Sequence, residues 1–148
     1  NSIRNVVRVV AIANLSYFFV EFFFAAKIGS VSLFADSIDF LEDASVNILI
    51  LLPWAGVGGP QAISKFFSLL LLVPAFSVLI TTLYEINNPS TPDAISLTAV
   101  GFGALIVNFS CAFILAKFRQ SQKSLVIAAY LSARNDALAN VAIITAGI

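Results

Sequence analysis

Apolar positions along the chain fall into five long runs, separated by short polar or Gly/Pro-rich breaks. A membrane-crossing helix needs ~20 mostly apolar residues. On that measure the runs predict helices over 6–26, 31–54, 66–86, 94–116 and 124–148. The first carries Arg8, Asn14 and Glu21 in mid-run, and no small-residue cleavage site follows it, which argues against a removable signal peptide. Lys27-Ile28-Gly29-Ser30 reads as a turn. The second run holds four acids in its first half, Asp36, Asp39, Glu42 and Asp43. Residues 55–60 and 87–92, rich in Gly, Pro and Asn, read as loops. Between them, Phe66–Leu83 is free of charge and contains Pro74, expected to kink its helix, which a membrane bundle tolerates. Ala94–Ala116 is the cleanest span, and the fifth is interrupted by Arg134 and Asp136. Short loops make sequential helices antiparallel neighbours. The expectation is an all-α, polytopic membrane helix bundle: one transmembrane domain, with no internal repeat and no separate soluble domain.

Composition strengthens the membrane reading. Apolar residues make up 59% of the chain and mean hydropathy is +0.97. Charged residues make up 11%, against ~25% in ordinary soluble domains. So few polar groups cannot cover a soluble surface, and disorder is excluded by the same numbers. Net charge is zero and no basic run occurs, so a nucleic-acid partner has no electrostatic support. With Cys111 alone, no internal disulfide forms. Histidine is absent, so a metal site here is built mainly from oxygen. The chain opens on Asn1, and the expectation is a piece of a longer protein in which a sixth helix follows. Basic residues set the orientation. Six (Arg4, Arg8, Lys65, Lys117, Arg119 and Lys123) fall on one side, against Lys27 on the other. That bias puts the N-terminus inside, in an expected bacterial cytoplasmic membrane.

The candidate chemistry lies in the carboxylates within the spans. Charges at mid-bilayer cost at least ~2.5–3.5 kcal/mol each on insertion scales, so they face the bundle interior and mark function. Asp36, Asp39 and Asp43 are three and four residues apart, stacked along one side of a helix, and Asn47 continues the stripe. The fifth helix carries Ser132, Asp136 and Asn140 at four-residue spacing, with Asn135 alongside. The first offers Asn14, Tyr17 and Glu21. Two carboxylates at Asp-x-x-x-Asp spacing can touch one cation, and a third from a facing helix closes the shell. Crowded carboxylates in low dielectric hold protons when no metal is bound, and a divalent cation expels them. A site holding either metal or protons, but not both, is the minimum for an antiporter.

These residues also form a recognisable pattern. The segment Gly29-Ser30-Val31-Ser32-Leu33-Phe34-Ala35-Asp36-Ser37-Ile38-Asp39-Phe40-Leu41-Glu42-Asp43 resembles the second-helix signature of the cation diffusion facilitators. The segment Ala128-Ala129-Tyr130-Leu131-Ser132-Ala133-Arg134-Asn135-Asp136-Ala137-Leu138 resembles their fifth-helix signature, and Leu83-Tyr84-Glu85 resembles the segment after their third. The resemblance implies a six-helix homodimeric efflux transporter that exchanges divalent cations for protons by alternating access. It assigns metal ligation to Asp39, Asp43 and Asp136. Ser132 departs from the usual His or Asp, leaving the fourth position to Ser132, Asn135, a water or Asn14. Asn14, Asp36, Glu21 and Asn140 are expected around the site, orienting ligands or relaying protons. Glu42 is a second departure. The His-rich loop of some members, the sixth helix and the cytosolic domain have no counterpart in this chain. No cofactor is implied beyond the transported ion. An oxygen-rich set favours Mn, Fe(II) or Mg. Zn, Cd and Co remain open.

Plainer readings stand beside these. Asp36 caps or anchors a helix near the outer interface. Glu42 pairs with Arg134 or Lys27, and Glu21 makes a helix–helix hydrogen bond. Asn14, Asn108 and Asn140 bridge helices. Cys111 fills space, and Gly101 and Gly103 let helices approach. The chain is not expected to be an enzyme. The alternatives are an intramembrane aspartyl enzyme, whose Gly-x-Gly-Asp motif fails at Ala104, and an uncoupled cation channel.

Overall fold

The computed structural model describes residues 2–56, 59–89, 91, 93–120 and 124–147. Lys123 and Ile148, invoked for orientation and for the end of the fifth span, lie outside the described residues, as do positions 57, 58, 90 and 92 of the two expected loops. The described chain is all-helical, without strands. Its helices are α1 (Ile3–Ile28), α2 (Val31–Leu51), α3 (Pro60–Asn87), α4 (Ala94–Ala116) and α5 (Ser124–Gly147), with a 3-10 turn at Leu52–Ala55.

Local chemistry explains the boundaries. Gly29 ends α1 in the left-handed region at φ 66°, a conformation open to glycine. Ser30 then starts α2 by accepting a 3.2 Å hydrogen bond from the Leu33 amide. Pro53, which has no amide hydrogen to donate, falls in the 3-10 turn that closes α2. α3 begins at Pro60, six residues before the apolar run, because proline fits the first helical turn, where its missing N–H is not needed. It continues through Pro74 as one helix. Asp93 caps α4 by accepting from the Ser96 amide at 2.8 Å.

α1 packs most extensively on α2, and α4 on α5, giving two antiparallel hairpins. The hairpins face each other through lighter α1–α4 and α2–α5 contacts, which close a four-helix ring; α3 lies against α2. At the α1–α4 crossing, the Tyr17 hydroxyl donates to the Val100 carbonyl at 2.7 Å. A Cβ at Gly103 would run into the Tyr17 hydroxyl, so a larger residue there would have to displace it.

Polarity is inverted relative to a soluble bundle. Phe19 is 62% exposed and Phe113 75%, whereas Glu21 is 0% exposed. Large apolar side chains point outward along α1, α3 and α4, while Asn14, Asp36, Asp43, Asn47, Asn108 and Asn140 are buried. Contiguous exposed apolar surface marks an interaction with lipid or protein. α1 and α4 are long and apolar enough to cross a membrane. Apolar clusters close the polar interior at both ends. Val7, Val10, Ile50, Cys111, Leu115 and Val126 pack at one end, and Ala25, Leu33, Leu97 and Val100 at the other.

Candidate functional site

The polar side chains converge where the hairpins meet. Helical geometry decides which acids of α2 enter. At about 100° per residue, Asp36 and Asp43 differ by only about 20° around the axis, whereas Asp39 is rotated about 60° from Asp36. Asp36 and Asp43 are accordingly buried, at 3% and 2% exposure. Asp39 sits half-buried at the edge of that face, and Glu42, further round, is exposed. Asn47 shares the buried face but spends its amide on its own helix, donating to the Asp43 carbonyl at 2.8 Å.

α5 presents a narrow stripe of small residues inward. Val126, Ala129, Ala133, Ala137 and Asn140 are buried. Ser132 and Asp136 flank this stripe half-buried, and Asn135 points to the exterior, where it accepts from Arg134 at 3.4 Å. The Asp43 carboxyl meets Ser132 and Asp136 across the α2–α5 interface. Both Asp43 oxygens are buried without a well-aligned donor. Asp39 lies within the electrostatic field of Asp136 rather than against it. Among the described residues, no three acidic or thiol side chains are gathered into one metal-sized shell. The acids form pairs, with Asp43 facing Asp136 and Asp39 standing aside.

A second polar line crosses the bundle. Asn108 donates to the Asn140 side-chain oxygen at 2.8 Å, and Asn140 donates to Asp36 Oδ2 at 2.6 Å. Both asparagines therefore bridge helices. Asp36 does not cap α2, whose first turn is capped by Ser30. Its place on the inward face holds it in the interior, on Asn140. Beyond Asp36 lies Glu21 of α1, with both oxygens buried and unpaired. Asn14 accepts a 3.9 Å contact from the Cys111 thiol, leaving its amide nitrogen without a partner. Among the described residues no ion pair joins Glu42 to Arg134 or Lys27; Arg134 donates to Asn135.

Spacing within single helices does not show the Glu21–Asp36 pairing, but the turn between α1 and α2 does carry a signal for it. Gly29 turns α1 into α2, and Glu21 precedes it by about as many residues as Asp36 follows it. Residues equidistant from a tight turn between antiparallel helices lie at the same depth.

Chemically, the arrangement is a buried surplus of acceptors. Among the described residues no ion pair balances the buried carboxyls: Asp43 meets Asp136, and Asp36 meets Glu21 and the Asn140 amide. Facing carboxyls repel when both are charged, and a proton or a shared cation between them removes that repulsion. No family model matches the chain.

Proposed function

We propose that this chain is the membrane domain of a divalent-cation exporter that exchanges its cargo for protons, as the resemblance to the cation diffusion facilitators implies. All five α-helices cross the bilayer, with the N-terminus inside and a homodimer as the working unit. Cytosolic metal enters between Asp43 and Asp136, with Asp39 turning in to complete the ligand set and Ser132 contributing its hydroxyl. Binding expels the protons those carboxyls held. The two hairpins then rock about their light interface and open the site to the other side, where protons displace the metal.

The observation that carries this reading is the facing of Asp43 and Asp136 from opposite hairpins, inside a polar interior closed by apolar side chains at both ends. A pair split across a movable interface can be made and broken as the hairpins move. Closure at both ends favours alternating access over an open channel. The oxygen-only donor set favours Mn, Fe(II) or Mg as cargo.

Vesicles containing the purified chain test the reading with Mn(II) outside and a pH-sensitive dye within. Metal uptake should drive proton movement in the opposite direction. Asp43→Ala and Asp136→Ala should each abolish both fluxes, because each removes a charged ligand. Wild-type flux in Asp136→Ala would overturn the assignment. Cation flux without proton movement would favour the channel.

A further inference from the structure

The pair that transport requires is not the only place where carboxyls from two helices meet. Glu21 of α1 is fully buried, neither of its oxygens receives a hydrogen bond, and it points at Asp36 of α2. Asp36 Oδ2 is held by Asn140, and Oδ1 is also bare. Three carboxylate oxygens are therefore gathered in the interior with no donor from the protein. Unpaired charge in such surroundings is strongly destabilising unless something neutralises it. One bridging proton would engage one oxygen from each residue and leave a Glu21 oxygen bare. A hydrated divalent cation would neutralise both carboxylates and bring waters to the remaining oxygen; hard cations bind in this way through one or two carboxylates.

We propose that Glu21 and Asp36 form a second divalent-cation site, a station between the Asp43–Asp136 pair and the end of the bundle closed by Ala25 and Leu33. The inference rests on the reading that the cargo is a divalent cation. Position supports it. Asp36 lies seven residues from Asp43 on the same face of α2, about 10 Å along the axis at ~1.5 Å per residue. One turn beyond Glu21, Ala25 belongs both to the closing apolar cluster and to the lining of a cleft of about 430 Å³. Ser30, Phe34 and Tyr84 line the same cleft. An ion leaving the Asp43–Asp136 pair toward that end thus meets Glu21 and Asp36 before Ala25 and the cleft. The Asn108–Asn140 chain fixes one oxygen of Asp36 and links the station to α4 and α5.

The test titrates the 148-residue chain in lipid nanodiscs with Mn(II), counting bound equivalents and recording the electron paramagnetic resonance spectrum. Wild type should bind two Mn(II) per chain, with the line broadened by coupling between ions about 10 Å apart. Glu21→Gln and Asp36→Asn, each checked for unchanged elution and melting, should bind one and lose the broadening. Asp136→Asn should also lose one equivalent while retaining the one that Glu21→Gln abolishes. A single equivalent in wild type, unaltered by Glu21→Gln, overturns the second site and leaves the exporter reading intact. Loss of binding in Glu21→Gln with none in Asp136→Asn supports the second site and overturns the ligand role of Asp136. No binding in wild type overturns both.

Discussion

Gly103 shows how far one hydrogen atom matters in this bundle. The Tyr17 hydroxyl occupies the space a Cβ at position 103 would take, and its bond to the Val100 carbonyl ties α1 to α4. Gly103→Ala should therefore cost about 1–3 kcal/mol, the usual penalty of overpacking. A lowered melting temperature in detergent is the readout. Tyr17→Phe removes the obstructing oxygen, so the double variant should lose less than the two single losses added together. Strict additivity would mean that the two residues do not meet. Ser132 allows a second residue-scale prediction. It lies beside Asp43, so on the exporter proposal Ser132→His would place a nitrogen ligand there and shift preference from Mn(II) toward Zn(II) in competition transport assays. Unchanged selectivity would exclude Ser132 from the ligand set.

Among the elements, α2 and α5 are built on different plans for the same interface. α2 brings acids inward at a seven-residue interval, and α5 brings alanines, whose small side chains let the two helices approach closely. α4 depends on its cap. Asp93 is exposed, and the hydrogen bond from Ser96 holds its carboxyl below the ordinary aspartate range. A carboxyl lowered in the folded state stabilises above its unfolded pKa, and that contribution fades as pH falls through the folded value. Hydrogen exchange at Ser96 and Leu97, corrected for intrinsic rates, should thus lose protection in acid. Asp93→Asn, still able to cap, should remove the pH dependence, whereas Asp93→Ala should lower protection at every pH.

For the molecule as a whole, the division into two tightly packed hairpins with a lighter polar seam defines where motion is cheapest. The Cys111 thiol already touches the Asn14 side chain across the α1–α4 seam. Asn14→Cys should form a disulfide with Cys111 on oxidation, visible as a mobility shift, and on the exporter proposal the locked chain should stop exchanging metal until reduced. Transport at full rate with the bond in place would mean the hairpins do not separate at that level.

Much of this architecture was written in one dimension. Five apolar runs mark five helices, and the Gly29 turn is legible because it depends on residues within a few positions. α3 reaches back to Pro60 although its apolar run starts later, since a helix can begin in polar sequence when the first turn needs no side-chain support. The polar ridges of α1, α2 and α5 were likewise visible as periodicities. Partnership among them was not. Spacing alone groups Asp39 with Asp43, and only the packing of α2 against two neighbours at once selects Asp36 and Asp43 for the interior and leaves Asp39 at the rim. Nor could spacing show that Asn140 would hold Asp36 from a hundred residues away, or that Glu21 would face it without a donor. Periodicity fixes a side chain's angle about its own helix axis; which charge it meets depends on how separate helices come together, a choice made by burial across the entire bundle.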